Sequence, residues 1–389
     1  MMHNQALPNE IVELILRFAC KTFKDCYKFC LVCHLWKSII YHNKWTMPFI
    51  LAQENKLPPF LNIENLMIDS CASNQQTLEK ICNIYDNLHS ISLDTYNGSL
   101  ESLVKLEQLE KFSATFLQPF NYEEFQFLVN IREIKLHDLA NICENGIIHL
   151  QKTKKLDFSV SPSFPQEYDT LDDNLIGRLI SVEELSLAGR KKFTDGSLMD
   201  FTNLKKLKLD RSRITGCFLT IITTLEHLSM KHCALFNFQD FFPYSEKCFQ
   251  NLKFIDLTGS YITNDYLQYL SNIETVILNE CRSVTGNGLQ HLGSVQHLQL
   301  ENCTQIVDRA ISFLSNVRVL SIKGCNKITN EGLKNLEMVE ILNVSGCKEI
   351  STSGLAHLPR VKKIIAVGCT KVSTMHTLPK NLKFVEIVK

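Results

Sequence analysis

The 389-residue chain has no net charge, with 41 lysines and arginines against 41 aspartates and glutamates. Such a balance supplies no field to gather nucleic acid or an anionic membrane, so neither is expected as a partner. No apolar run approaches the roughly 18 residues that a membrane-spanning helix needs. Met1 to Asn9 is polar and lacks the basic-then-apolar order of a signal peptide. The expected compartment is therefore the cytosol or nucleus, or a host cytosol for a protein delivered by a virus or intracellular bacterium. There the 15 cysteines are expected as thiols. The phosphate-cradling patterns G-x-x-x-x-G-K-[ST] and G-x-G-x-x-G are also missing. His227, His291, His297 and His357 are scattered, with no serine, cysteine or carboxylate at motif spacing. No catalytic residue, metal site or cofactor is expected, and the protein reads as a non-enzyme.

What the chain does have is a period. Cys281, Cys303, Cys325, Cys347 and Cys369 follow one another at intervals of 22 residues. Eight residues before each stands an apolar residue: Ile273, Val295, Val317, Val339 and Val361. Two more apolar residues follow three and five positions later, as in Leu298 and Leu300 or Leu342 and Val344. Four of the five units close on a helical phrase such as Lys327 to Leu336. The pattern L-x-x-L-x-L-x-x-C at this period resembles the leucine-rich repeat, one strand and one helix per turn of a solenoid. Stacked repeats escape the size limit of a single compact core, because each packs only on its neighbours. The fold class implied is α/β: parallel strands on a concave face and helices on a convex face.

Traced backwards, repeat starts fall at Ile63, Leu88, Leu109, Ile131, Thr153, Val182, Leu204, Leu225 and Leu252, and forwards to Leu382. That makes about 15 repeats over 63–389, with longer spacings around 159–170 and 234–249. Loops lengthen cheaply, so these insertions are tolerated surface loops or binding loops on one face.

Residues 1–47 do not share the period. Pro8 suits a first helical turn, and Ile11, Leu14, Ile15 and Phe18 recur at helical spacing. Asp25 can cap a second helix. Both tryptophans, Trp36 and Trp45, lie in this stretch. Leu7-Pro8-Asn9-Glu10-Ile11, Ile15-Leu16, Leu31-Val32-Cys33-His34-Leu35-Trp36 and Trp45 together resemble an F-box. The resemblance implies that Leu7, Pro8, Glu10, Ile11 and Ile15 help form the surface that docks the adaptor of an SCF-type, cullin-based ubiquitin ligase. It implies that Val32, Cys33 and Trp36 hold the small domain together and border that surface. The cysteine-type repeats also resemble those of this family's leucine-rich-repeat branch. Residues 48–62, with Pro48, Pro58 and Pro59, read as a connector.

Cys30-Leu31-Val32-Cys33-His34 has the form of a haem-attachment or redox string, but those motifs carry meaning only in their own sequence context. The repeated cysteines form a line one rung apart, whereas zinc needs ligands converging on a point. They read as structural thiols facing the turn backbone.

Outward strand positions lie two, four and six residues after each start. Among them His297, Gln299, Glu301, Ser321, Lys323 and Asn343 are polar, and Val319, Ile341, Ile365, Val367, Phe384 and Val388 are apolar. Exposed apolar patches mark partner sites, so Val319, Lys323, Ile341, Ile365, Val367 and Phe384 are the expected target-binding residues, unless the terminal residues or a second copy cover them. The function implied is target recognition for ubiquitin transfer. A repeat-based inhibitor or scaffold without ligase engagement is the alternative, and a thiol redox enzyme using Cys30 and Cys33 a distant third.

Overall fold

The computed structural model describes residues 44–45, 49–51, 62–68, 73–116, 121–237, 239, 248–372, 379 and 382–386. The chain forms two compact units, Met1–Leu171 with Arg178–Val182, and Asp172–Gly177 with Glu183–Lys389. Leu7, Pro8, Glu10, Ile11, Ile15, Cys30, Val32, Cys33, Trp36 and Val388 lie outside the described residues, as does most of the 234–249 insertion.

In the first unit, β1 (Lys44–Trp45) pairs in parallel with β3 (Asn62–Ile63). A second parallel sheet runs from β2 (Phe49–Leu51) through β4 (Asn65–Ile68), β5 (Ser90–Tyr96), β6 (Lys111–Phe116) and β7 (Glu133–His137) to β8 (Lys155–Asp157). One strand of this sheet thus falls within the stretch read as a connector. Between β4 and β5 runs α1 (Gln75–Ile84), capped by Asn74, whose side chain accepts from the Thr77 amide at 3.0 Å. Its Leu78, Ile81 and Cys82 are buried, as are Leu66 and Leu93 of the strands. The 159–170 insertion is not a free loop. Phe164 and Val160 are buried with Ala140, and Thr170 Oγ1 donates to the Ile142 carbonyl at 2.7 Å.

Among its described residues the second unit carries ten strands in sequence order, each parallel to the next: β9 (Glu184–Ser186), β10 (Lys206–Lys208), β11 (His227–Ser229), β12 (Phe254–Asp256), β13 (Thr275–Ile277), β14 (His297–Gln299), β15 (Val319–Ser321), β16 (Ile341–Asn343), β17 (Lys363–Ile365) and β18 (Phe384–Glu386). Each of β4 to β18 begins two residues after a start read from the period. The helical phrases are shorter than the sequence suggests. They form single turns, such as the α-helical Asn330–Leu333 and Thr352–Leu355 and the 3-10 turn Gly288–Leu292. Among the described residues no helix is long and apolar enough to cross a membrane.

Three devices make successive repeats superimpose. The start, third and fifth positions point inward: Val295, Leu298 and Leu300, and their counterparts at Val317, Leu320 and Ile322, are all buried. The residue seven after each start from Val182 to Val361 takes a left-handed backbone, whether glycine (Gly189, Gly259, Gly324, Gly346, Gly368) or not (Arg211, His232, Glu280, Asn302). Glycine reaches that region without a steric cost, which explains its recurrence there. Finally, the side chain opening one helical turn ties down the cap of the next repeat. Asp308 accepts from the Thr329 amide and hydroxyl, both at 2.7 Å. Asn330 accepts from the Ser351 amide at 2.9 Å and donates to its hydroxyl at 2.8 Å.

The cysteine column faces the same turn backbone. The thiols of Cys303, Cys325 and Cys347 each donate to a carbonyl of the preceding repeat at 3.1 Å, those of Leu278, Leu300 and Ile322. Burial pushes Cys303 and Cys347 up to about 12 and Cys325 to about 11. Only the thiolate is a nucleophile. Iodoacetamide at pH 8 should therefore leave these three unlabelled in the folded protein and label them only as it unfolds, as read by peptide mass spectrometry. Labelling at the rate of a free thiol would contradict the buried column.

Candidate binding face

The outward strand positions of the second unit form three columns, and the register decides which side chains meet. The column of first strand residues reads Glu184, Lys206, His227, Phe254, Thr275, His297, Val319, Ile341, Lys363 and Phe384. Strand spacing puts consecutive members about 4.8 Å apart. Lys206 lies 3.3 Å from the Glu184 carboxylate. The His227 ring stacks on Phe254 with centroids 5.7 Å apart, a favoured aromatic separation. Thr275 Oγ1 and His297 Nδ1 are 3.2 Å apart.

The other two columns carry a polar network. Asp210, 6% exposed, accepts from Ser229 Oγ at 2.6 Å and from the Lys231 amide at 3.1 Å. Asp256, 2% exposed, accepts from Thr258 and pairs with Lys231 at 3.0 Å. Further along, Asn279 donates to Gln299 at 3.2 Å and accepts from the Glu301 amide at 2.8 Å, while Glu301 accepts from Ser321 at 2.8 Å. Lys323 reaches Glu301 at 4.0 Å. Networks whose members are mutually satisfied hold their side chains in place, so this face is rigid before any partner arrives.

The register brings some of the expected target-binding residues together and separates others. Val319 and Ile341 are direct cross-strand partners. Lys363 stands between Ile341 and Phe384, and its Nζ lies over the Phe384 ring, 4.8 Å from the centroid. Ile365 is flanked by Asn343 and Glu386. Val367 follows β17, where its amide donates to Ser345 Oγ at 3.2 Å. All but Phe384 and Lys323 are half-buried. The His227–Phe254 and Thr275–His297 pairs were not singled out from sequence. Their signal was available: aromatic and imidazole side chains two residues after consecutive starts must stack rung on rung.

Burial, with the neighbouring Lys206 charge next, lowers the His227 pKa below its ordinary value of 6.5, against the opposing pull of Glu226 and Glu184. The folded state therefore prefers the neutral ring, while the unfolded chain takes up the proton as pH falls through about 6.5. Its contribution to stability is full above that pH and is lost as pH falls towards the folded pKa. The His227 ring resonances should titrate with a midpoint below 6.5, and Lys206→Gln should move that midpoint up. A midpoint at or above 6.5 in the intact protein would contradict the stacked, half-buried ring.

No family model matches the sequence, and no curated protein matches it. Among solved structures the chain is similar to that of the TLR13–ssRNA13 complex, with 16% identity and a TM-score of 0.52 over 90% of this chain and 57% of that one. It is also similar to an internalin from Listeria monocytogenes, with 14% identity and a TM-score of 0.42 over 81% and 89% of the two chains. For the yeast Rad7 and Elc1 complex the identity is 14% and the TM-score 0.40, over 97% and 92%. The chain spans just over half the length of the first of these. The repeat period, the parallel register and the likeness to the first structure agree: the fold is a leucine-rich-repeat solenoid.

Proposed function

We propose that the protein is a non-catalytic target-recognition subunit of an SCF-type ubiquitin ligase. The observation that carries this reading is the motif Leu7-Pro8-Asn9-Glu10-Ile11 with Leu31-Val32-Cys33-His34-Leu35-Trp36, placed ahead of leucine-rich repeats. The F-box-like segment docks the ligase adaptor and through it the cullin. The strand face of the second unit holds a target, raising its effective concentration near the ubiquitin-loaded enzyme. The fixed polar network, with Val319 and Ile341 side by side, supports a protein surface as the occupant. Lys206, Lys208, Lys231 and Lys323 of this face are each within 4.0 Å of a carboxylate, which supports a protein over a nucleic-acid backbone.

The test is capture of purified adaptor by the full chain and by the Leu7→Ala/Pro8→Ala double variant. The wild type should bind, and the double variant should bind about 30-fold more weakly or worse, as for loss of interface anchors, with unchanged circular dichroism. Ile365→Asp should leave adaptor binding intact and weaken target capture. If the wild type binds no adaptor while folded, the ligase reading fails. A target that is bound tightly but never ubiquitinated would make the protein a repeat-based inhibitor or scaffold.

A further inference from the structure

We infer that the rim where the chain leaves β9 to β13 is a second docking surface, and that it takes an extended acidic segment of a partner protein. The rim is built by backbone geometry. Arg211 N–H donates to the Lys231 carbonyl at 2.7 Å, His232 N–H to Thr258 at 2.7 Å and Gly259 N–H to Asn279 at 2.8 Å, so the rungs stay aligned beyond the strands. Along it lie Lys192, Arg211, Arg213, His232 and Arg282, all exposed, and Tyr261, whose 72% exposure is the highest of any large hydrophobic residue among those described.

Among the described residues the charge on this rim is uncompensated, for a structural reason. Among the described residues Lys192, Arg211, Arg213 and Arg282 have no carboxylate within ion-pair distance. The acids of the same rungs cannot reach out to them. Asp210 and Asp256 are buried and already accept from Ser229, the Lys231 amide and Thr258. Glu280 is the exposed carboxylate on the rim. Towards the chain's end the positions equivalent to Arg213 and Arg282 are Thr304, Asn326, Lys348 and Thr370. Of the lysines equivalent to Lys192, Lys371 pairs with Glu349 and Lys327 donates to Gln305, so the rim's arginines are confined to the first rungs of the unit.

Size and chemistry then define the occupant. Arg213 and Arg282 are three rungs apart, about 14 Å at the usual strand spacing, a distance that four or five extended residues span. Guanidinium groups bind carboxylates bidentately, and exposed Tyr261 between them offers an apolar platform for the segment's own stem atoms. This surface is distinct from the strand face and does not depend on the ligase reading: a chain that binds no adaptor leaves it intact.

The test is fluorescence anisotropy on the full chain with three labelled probes: hexaglutamate, hexaglutamine and hexauridylate. Hexaglutamate should bind, weaken as salt is raised, and lose about tenfold in affinity with Arg211→Asn/Arg213→Gln, asparagine being chosen because it tolerates the left-handed backbone there. Arg282→Gln should weaken binding about threefold, and serves alone if the double variant fails to fold. Lys348→Gln, three rungs beyond Arg282, should change nothing. The proposal is overturned if hexaglutamate binds no better than hexaglutamine, if the arginine variants keep full affinity, or if hexauridylate binds more tightly than hexaglutamate.

Discussion

Asp195→Ala should destabilise the second unit by about 3–5 kcal/mol, and Asp195→Asn by about half as much. Asp195 is only 8% exposed and opens the helical turn Asp195–Leu198. Its Oδ2 accepts from the Thr215 amide at 2.9 Å and hydroxyl at 3.0 Å. Its Oδ1 accepts from the Gly216 amide at 2.7 Å and more distantly from that of Phe218 at 3.4 Å. Alanine removes every acceptor at once and leaves backbone donors of the next repeat unpaired in a site too enclosed for water to replace them. Asparagine keeps one acceptor oxygen, so part of the set survives. A solenoid's stability is a sum over repeats and their interfaces, and this residue is an interface in itself. Urea unfolding followed by far-ultraviolet circular dichroism should show a lower midpoint in the order wild type, Asn, Ala. A loss under about 1 kcal/mol for the alanine variant would mean that the carboxylate is not what joins these repeats.

The strand positions were legible because the inward set recurs: start, third and fifth residues are apolar in nearly every repeat, and a period of 21 or 22 leaves one register. Even the weak start at Thr153 is real. Its side chain is buried, with the hydroxyl donating to the Ile131 carbonyl at 3.2 Å, so a polar residue replaces an apolar one without an unmet hydrogen bond. Helix length was not legible. Four-residue turns satisfy their ends through the neighbouring repeat rather than through their own ladder, so a helical sequence pattern exaggerates them. Thr194 and Thr329 precede their turns and cap them, accepting from the Gly196 and Glu331 amides, whereas Thr263 and Ser351 stand at the same place without a side-chain capping bond. The role of the residue after them emerges only when two rungs are laid side by side.

The binding face shows the same division. Polar and apolar outward residues were legible by counting from each start. Which of them touch depends on pairing between strands, and one lysine, Lys363, divides what a list of apolar positions treats as continuous. The buried acids Asp210 and Asp256 look from sequence like ordinary surface charges in a neutral chain. Their burial keeps these two carboxylates with the strand face, where they accept from Ser229, Thr258 and the Lys231 amide.

Glycine within the helical turns supplies the sharpest contrast, since Gly354→Ala and Gly196→Ala should move stability in different directions. Both glycines lie in single helical turns with ordinary backbone, where alanine is intrinsically preferred by up to about 1 kcal/mol. At Gly196 a new Cβ meets only Thr194 Oγ1, at 3.5 Å, an ordinary contact. That substitution should be neutral or stabilising by up to about 1 kcal/mol. At Gly354 the same atom falls 2.2 Å from Asn330 Oδ1 and 2.9 Å from its Cβ. Asn330 cannot step aside freely, because it accepts from the Ser351 amide and donates to the Ser351 hydroxyl. Alanine there must break those bonds, each worth about 1 kcal/mol, and overpack the repeat interface. The expected cost is about 2–4 kcal/mol, read as a lower urea midpoint with an unchanged slope. Asn330→Ala should lose its own bonds and remove the 2.2 Å overlap while keeping its Cβ at 2.9 Å. Gly354→Ala should then cost less in that background than alone, and the double variant should be more stable than the two single losses predict. Additive losses would mean that the glycine is not there to admit the neighbour's side chain, and that the tie between these two repeats lies elsewhere.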